Sequence, residues 1–490
     1  MKILVVLHLF THTRHFHRVF DILLRRGHAL KIVGLNVLKD QGPQAEPPEH
    51  AAHLAGAEYA LPPPPRADAW GRRLEGLRGS RNLLLYGHRR FRHARLFRDR
   101  AARHAAPLMR VLAPRAGGGA APGVGRALAA MEASAPLDPA ILEYLRREAP
   151  DVLLVSPLIF NEMLSLNDWV KAAHALAIPV GFPVFSWDNL TTKGTTHALP
   201  DRVFVWNETQ AEEGVELHGW PREIIEVLGA WRFDEFRNYK PQMSREDFCA
   251  RIGFDPAKPL ILYLGSSPIV APTEARFVAE WLKALRASPD PLAREAGVLI
   301  RPHPRNLTAW RDTSEIAGVP GVALQPLEQT SLLKTDDLFE FLHHSHAVVG
   351  LVTSAMIEAA LMGRPVHSVR TTLAGAGQQG TVHFDYLTHV GGGLLHLADT
   401  LGEHVAKLTP HLARPLGEPD ARSQAFVAAF VDAPSGGSPS EGLADAIERL
   451  AKSRKTAAAP PRAGLGRAAL TALSTVGVLP PRDPPPGAPS

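Results

Sequence analysis

Residues 346–369, HAVVGLVTSAMIEAALMGRPVHSV, place two apolar runs on either side of a segment of helical length. The outer runs, HAVVGL and RPVHSV, are typical of buried strands in a parallel sheet. The intervening TSAMIEAALM predicts a helix, because small and apolar residues of good helix propensity fill it. Strand, helix and strand in this order predict one β-α-β unit of a parallel sheet.

The same alternation covers both halves of the chain. The strands predicted in the N-terminal half are residues 3–9, 29–35, 151–157, 179–185 and 202–207. Those predicted in the C-terminal half are residues 260–267, 297–304, 346–351 and 364–369. Since segments of helical length separate the strands, we expect an α/β protein with two Rossmann-like domains facing a cleft.

A length of 490 residues also favours two domains over one core. We expect an N-terminal domain over residues 1–240, with a basic helical insertion at 70–135, and a C-terminal domain over 245–452. Residues 453–490 are rich in Ala, Pro, Gly and Arg, which predicts a disordered tail with one short helix near 465–475.

Cysteine content and hydropathy indicate the compartment. Cys249 is the one cysteine, which excludes an intramolecular disulfide and fits a reducing environment. The N-terminal MKILVVLHLF predicts a first strand better than an export signal. No apolar run reaches the ~20 residues that cross a bilayer. We therefore expect a cytoplasmic protein.

The positive charge is concentrated in one segment. Between Gly71 and Arg110 the chain carries twelve Arg against Glu75 and Asp99. This asymmetry indicates an anionic neighbour, such as a membrane surface or a polyanionic acceptor; a solvated helical face is the alternative. Since no nucleic-acid-binding motif accompanies the charge, nucleic acid is not expected as a partner.

Thr353 and Ser354 follow a predicted strand and begin the helix of the opening stretch. Free backbone N–H groups at such a point attract phosphate, and the Ser354 hydroxyl can donate to the same group. Glu358 lies one turn deeper, where a carboxylate can bind ribose hydroxyls. The alternative is an ordinary helix cap and a solvated acid.

Two further turns are expected at the same sheet edge. GSSP carries Gly265, Ser266 and Ser267, whose small side chains let the backbone approach an anion. RPHP holds His303 between two prolines and adds the charge of Arg301. Each turn is common without a ligand, but together with the helix start they predict a donor site for a nucleoside diphosphate.

The two-domain layout, RPHP and TSAMIEAALMGRPV resemble GT-B glycosyltransferases, nearest in pattern to CDP-glycerol glycerophosphotransferases and capsule polysaccharide transferases. That branch has an acid where Glu358 stands and a basic-Pro turn like Arg364-Pro365. It also has a Trp-His-Gly loop ending in Lys and Gly, which SWDNLTTKG resembles, with Asp188 in place of the general-base His. The resemblance implies a GT-B-like fold and a transferase that uses a nucleotide-activated donor.

FSWDNLTTKG, residues 185–194, is predicted to contact the acceptor. Asp188 can take the proton of an acceptor hydroxyl, and we assign it and His303 as catalytic residues. Lys193 can anchor an anionic acceptor, Trp187 can stack on a sugar, and Asn189 is a further acceptor contact. Alternatively, Asp188 and Asn189 form an Asx turn and Trp187 packs in the core.

Histidines follow the first strand at His8, His12 and His15. Their spacing matches no zinc motif, so we expect no metal. The fold would place them beside the acceptor, as binding groups or an alternative base; plain surface histidines are the simpler interpretation. No cofactor is expected beyond a UDP-, CDP- or GDP-linked donor as substrate.

These features predict a glycosyltransferase-like enzyme that moves a sugar, or a polyol phosphate, to a surface-polysaccharide or lipid-linked acceptor. The basic segment would dock at the inner face of the membrane. A nucleotide-sugar epimerase on the same fold is one alternative, and a non-catalytic GT-B-like binding or scaffold protein is another.

Overall fold

The computed structural model describes the chain apart from residues 36, 39–41, 44–53, 113–120, 161–163, 238, 331–335, 376, 379, 454–455, 459–463 and 476–490. The described chain forms two compact units. The first contains the described residues of 1–232 and 433–475, and the second contains those of 233–432.

The first unit contains a parallel sheet. Its strands are β1 (Lys2–Leu7), β2 (Ala29–Gly34), β5 (Glu58–Ala60), β6 (Val152–Ser156), β7 (Val180–Pro183), β8 (Arg202–Val205) and β9 (Ile225–Val227), with the short antiparallel pair β3 (Val37–Leu38) and β4 (Gly42–Pro43) apart from it. The order in the sheet is β5-β2-β1-β6-β7-β8-β9. Strands β1 and β6 lie at its centre as nearly continuous apolar runs, because both of their faces are buried.

Helices follow or connect these strands. They are α1 (His17–Arg25), α2 (Ala69–Leu85), α3 (Arg95–His104), α4 (Pro107–Leu112), α5 (Ala121–Ser134), α6 (Pro139–Glu148), α7 (Leu166–Ala175), α8 (Asn189–Thr192) and α9 (Glu208–His218). A 3-10 helix at Phe10–His15 precedes α1. Trp169 and Val170 on α7 pack in a hydrophobic core with strand residues such as Leu153 and Val180.

The second unit also contains a parallel sheet. Its described strands are β10 (Leu260–Leu264), β11 (Gly297–Arg301), β12 (Val322–Leu324), β13 (Ala347–Gly350), β14 (Val366–Val369) and β15 (Leu395–Ala398). Their order in the sheet is β12-β11-β10-β13-β14-β15. Its helices are α10 (Asp234–Arg237), α11 (Arg245–Ile252), α12 (Glu274–Arg286), α13 (Pro291–Arg294), α14 (Asp336–His343), α15 (Ala355–Leu361), α16 (Phe384–His389), α17 (Leu401–Leu412) and α18 (Ala421–Phe430). The predicted α/β class with two parallel sheets is confirmed.

The C-terminal boundary differs from our expectation. We placed residues up to 452 in the second domain, but that unit ends at Asp432. Helix α19 (Pro439–Lys452) returns to the first unit, where it packs against α1. Arg26, at the C-terminal end of α1, forms ion pairs with Glu441 and Asp445 of α19 at 2.5 and 2.7 Å. An amphipathic helix has the same sequence pattern whichever unit it covers, so the pattern could not assign it.

The helix expected near residues 465–475 is present as α20 (Leu465–Thr475). Its Leu470 is buried with Leu74, Leu77 and Leu128 in a small core shared with α2 and α5. The described part of the tail therefore includes a packed helix, while residues 476–490 of the predicted disordered segment lie outside the described residues.

One arginine of the basic segment is buried inside the first unit and forms ion pairs there. Arg78 on α2 is buried and forms paired hydrogen bonds with Glu132 at 2.7 and 3.1 Å. It forms a second pair with Asp168 at 2.7 and 2.9 Å, and Lys171 also contacts Glu132 at 3.2 Å. Burial opposes ionisation of Glu132, but the charge of Arg78 outweighs it and lowers the pKa of Glu132 to about 2. This arginine is a structural residue.

Candidate functional site

Three turns meet at the carboxyl edge of the second sheet. Strand β10 lies between β11 and β13, so the turns that follow these strands are neighbours. The Gly265 N–H donates to the Arg301 carbonyl at 2.8 Å. A Cβ atom on Gly265 would lie 2.6 Å from the backbone nitrogen of His303, closer than packing allows. Gly265 is therefore required by the close approach of the first two turns.

Ser266 joins the first turn to the third. Its side chain is fully buried, and its hydroxyl accepts a hydrogen bond from the Val352 N–H at 3.3 Å. Its carbonyl accepts from the Asn306 amide at 3.0 Å. We expected Ser266 to contact the donor, but the structure uses its side chain to hold the turns together.

Ser267 and Ser354 remain accessible at this edge. Both are half-buried, in the first and third turns. The Ser267 hydroxyl forms no hydrogen bond with the described part of the chain, and Ser354 begins α15 without a side-chain cap. Thr353 is more buried, and its hydroxyl lies 3.5 Å from the Ala355 N–H. Two serine hydroxyls are thus available to a ligand.

Arg301, at the end of β11, is a buried cation. It is 9% exposed, and its Nε has no hydrogen-bond partner among the described residues. Desolvation lowers the pKa of the guanidinium, while the charges of Glu358 and Asp337 act in the opposite direction. Glu358 is also buried, and its charge favours the protonated form of the guanidinium. A buried cation with an unsatisfied donor is suited to an anionic ligand.

His303 follows Arg301 and is half-buried. Its Nδ1 accepts a hydrogen bond from the Arg305 N–H at 3.0 Å. The neutral ring therefore carries its proton on Nε2, from which it can donate to an anion or a sugar hydroxyl.

Glu274 is a site residue that the sequence did not reveal. It is the first residue of α12, is fully buried, and accepts from the Ser266 N–H and the Tyr263 hydroxyl. Burial raises the pKa of Glu274 to about 8 despite these hydrogen bonds. An acid in the first turn of a helix is ordinary in sequence, and only the packing makes this one a buried anchor.

In the first unit, FSWDNLTTKG follows β7 at the carboxyl edge of the sheet. Asp188 Oδ1 accepts from the Ser186 hydroxyl at 2.6 Å, and Oδ2 accepts from Thr192 at 3.0 Å. The Lys193 ammonium lies 3.8 Å from Oδ2. About a fifth of the Asp188 side chain, 22%, stays exposed. The carboxylate shapes its turn and still reaches solvent.

Trp187 and Asn189 are buried in this loop. Asn189 Oδ1 accepts a hydrogen bond from the Ser186 N–H at 3.2 Å. These features agree with the alternative in which the two residues fold the turn. We expected both to contact the acceptor, but neither presents an accessible side chain.

His8, His12 and His15 are buried rather than on the surface. His15 stacks on Phe185 with ring centroids 4.6 Å apart, and His12 lies 4.8 Å from the same ring. The turn after β1 therefore contacts the start of the FSWDNLTTKG loop. Among the described residues, none of these three histidines belongs to a cluster of metal-ligating side chains.

No described helix combines the length and the apolar character that a bilayer crossing requires.

Comparisons with known proteins identify the fold. No family model and no curated protein matches the sequence. Among solved structures, a glycosyltransferase from Rickettsia africae ESF-5 is similar at a TM-score of 0.52 and 11% identity, over 92% of this chain and 98% of that one. Staphylococcus aureus MnaA, solved with UDP, gives 0.50 and 12% over 94% and 100%.

A UDP-GlcNAc 2-epimerase from Neisseria meningitidis bound to UDP-GlcNAc gives a TM-score of 0.49, with 13% identity over 92% of this chain and 100% of that chain. At such identities the similarity extends to the fold alone. The predicted GT-B-like class is confirmed, while the narrower resemblance to CDP-glycerol glycerophosphotransferases stays a prediction.

Proposed function

We propose that this protein is a transferase that uses a nucleotide-activated sugar, or a nucleotide-activated polyol phosphate, and binds this donor on its second unit. One observation carries the proposal: the turns after β10, β11 and β13 are adjacent, and the buried cation Arg301 lies at the end of β11.

The chemistry of this edge fits a diphosphate. Arg301 supplies a positive charge in a site of low dielectric, where its attraction to phosphate is stronger than in water. The Ser267 and Ser354 hydroxyls and the His303 Nε2–H are further donors. When the bond to the transferred group breaks, negative charge accumulates on the departing diphosphate. Fixed donors stabilise that charge without having to reorganise.

A uridine nucleotide is the first donor to test. The similar MnaA structure was solved with UDP. Glu358, in the helix that begins at the third turn, would bind the ribose hydroxyls, since a carboxylate can accept hydrogen bonds from two adjacent hydroxyls. CDP- and GDP-linked donors are the comparison set.

The first unit would bind the acceptor, a surface polysaccharide or a lipid-linked saccharide. Asp188 would take the proton of the attacking hydroxyl, because its carboxylate is accessible and held by Ser186 and Thr192. Lys193, next to Asp188 and 5.7 Å from the Phe160 ring, would attract an acceptor phosphate. The buried His12 and His15 would support this loop through Phe185.

The basic segment would bring the first unit to an anionic membrane. Helices α3 and α4 and the residues before them expose both charges and apolar side chains, namely Arg92, Arg95, Arg103 and Arg110 with Leu96, Leu108, Val111 and Leu112. Basic side chains attract anionic headgroups, and exposed leucines can enter the interface.

Donor binding is tested by thermal shift with UDP, CDP, GDP and their sugar conjugates, since a ligand that binds the folded state raises the midpoint. We expect one nucleotide family to raise it. Ser267→Ala and Ser354→Ala should each weaken the affinity three- to tenfold, whereas Ser314→Ala, at an exposed position in the same unit, should not.

The rival functions give different outcomes. No shift with any nucleotide would contradict the donor site and favour a scaffold protein. Conversion of the donor sugar to an epimer with no acceptor present would favour an epimerase. A shift that both serine variants leave unchanged would place the nucleotide elsewhere.

A further inference from the structure

Three histidines meet beside the last strand of the second sheet, away from the turns described above. His367 on β14 and His396 on β15 are paired across the two strands, and their rings stack with centroids 4.8 Å apart. His411, in the last turn of α17, approaches both rings, at 4.4 Å from His396 and 4.8 Å from His367.

A buried carboxylate completes the cluster. Asp420 Oδ1 lies 3.1 Å from His396 Nε2 and 3.6 Å from His411 Nε2. Its other oxygen accepts from the Ser423 N–H at 3.0 Å and caps α18. These contacts hold the carboxylate in one orientation.

The spacing of the ligand atoms fits a small cation. One ligand atom each from His396, His411 and Asp420 lies within 4.8 Å of the other two. Zinc bonds to nitrogen and oxygen of about 2.0–2.1 Å place tetrahedral ligands roughly 3.3–3.4 Å apart. The carboxylate–imidazole distances of 3.1 and 3.6 Å lie on either side of this value.

The surrounding hydrogen bonds orient the ligands as in known metal sites. His411 Nδ1 lies 3.2 Å from both the Lys407 carbonyl and His367 Nε2. Because the carbonyl can only accept, the proton belongs on His411 Nδ1, and the Nε2 lone pair faces Asp420. Such a bond to the second ring nitrogen is the usual support of a metal-binding histidine. Arg414 is the competing cation: its Nη1 lies 3.8 Å from Asp420 Oδ1, but Glu418 and the Pro419 carbonyl also hold its guanidinium.

We propose that His396, His411 and Asp420 form a zinc site with water as the fourth ligand. Two imidazoles and one carboxylate suit Zn²⁺ better than Mg²⁺ or Ca²⁺, which prefer oxygen ligands alone. The ion would connect the edge strand β15 to the end of α17 and the start of α18. It would stabilise the second unit, and this role is independent of the donor site.

The test uses full-length protein without a histidine tag, because the chain has 23 histidines of its own. After EDTA treatment, the protein is titrated with zinc against a chromophoric chelator, and bound metal is measured by elemental analysis. We expect about one tightly bound zinc per chain and a higher thermal midpoint with zinc than with EDTA. His396→Gln and Asp420→Asn should each weaken binding at least tenfold.

His389→Gln is the matched control, since this exposed histidine of α16 lies outside the cluster. It should bind zinc like the wild type. Cobalt provides a readout that needs no variant, because a tetrahedral site gives intense visible absorption bands that zinc then removes. Absence of tight zinc binding in the wild type, or unchanged affinity in both ligand variants, would overturn the proposal.

Discussion

The backbone N–H of Ser266 lies 2.9 and 2.8 Å from the two carboxylate oxygens of Glu274. This contact holds the Gly265–Ser267 turn, the first turn of the candidate donor site, in position. The Tyr263 hydroxyl donates to the same acid at 3.1 Å, and Asn306 donates to the carbonyls of Ser266 and Ala271. The turn is therefore held in place before any ligand binds, which reduces the ordering cost of binding.

Glu274 should make the stability of the protein depend on pH. Its pKa is raised from 4.5 to about 8 in the folded state, so between these values the folded protein binds more protons than the unfolded chain. This contribution is complete below pH 4.5 and is lost as the pH rises through 8.

We expect the free energy of unfolding of the wild type, relative to Glu274→Gln, to fall by up to about 1.4 kcal/mol for each pH unit between 5.5 and 7.5. Urea denaturation at three pH values measures this difference, and other titrating groups cancel in the comparison. Parallel pH profiles for the two proteins would show that Glu274 does not titrate in this range.

Gly265 should tolerate no side chain. The Cβ of an alanine would lie 2.6 Å from the backbone nitrogen of His303, so the first two turns would have to separate. Gly265→Ala should cost about 1–3 kcal/mol of stability and weaken nucleotide binding at least tenfold. Calorimetric titration and urea denaturation measure the two effects.

Gly402→Ala is the control for that substitution. Gly402 lies within α17, and a Cβ there would meet nothing within 4 Å. Alanine should stabilise this helix by about 0.5–1 kcal/mol and leave nucleotide binding unchanged. Equal nucleotide affinity in the two alanine variants would argue against a ligand at the Gly265 turn.

Asp188→Asn should reduce turnover at least a hundredfold and leave the donor Kd unchanged, because asparagine cannot accept the acceptor proton. Ser186→Ala separates catalysis from folding: it removes the 2.6 Å hydrogen bond to Asp188 and retains the carboxylate. It should retain most of the activity. A similar loss in both variants would assign Asp188 a purely structural role in its turn.

Replacing Arg92 and Arg95 together by Glu should reduce binding to anionic vesicles at least tenfold, since each basic residue near the surface contributes about 1 kcal/mol. The matched control replaces Arg276 and Arg311, which are exposed in the second unit and give the same change in charge. Flotation with phosphatidylserine-containing liposomes measures binding. Equal loss in both double variants would indicate a general charge effect instead of a docking face.

The central strands could be predicted from the sequence, because strands such as β1 and β10 are continuous apolar runs buried on both faces. The edge strands β5, β12 and β15 were missed. Strands β5 and β12 have only three residues each, and His396 interrupts the apolar residues of β15, so none of them shows the continuous apolar run of a central strand.

The position of the candidate site was predictable for the same reason, since glycine and serine turns follow the central strands. The buried side chains that hold these turns in position could not be predicted from the sequence. Glu274 and Asn306 have ordinary local sequences, and only tertiary packing buries them. The sequence pattern of His8, His12 and His15 suggests a surface cluster, but aromatic rings from loops about 150 to 170 residues later pack against them: Phe160 against His8, and Phe185 against His12 and His15.

The return of α19 to the first unit has a consequence for synthesis on the ribosome. All of residues 233–432 emerge before the helix that covers α1 and contacts β6 and β7 has been made. The second unit can therefore complete its fold while the first still lacks an outer layer. This nascent intermediate exposes the apolar surface that α19 later covers, and it is the stage at which chaperones would be needed most.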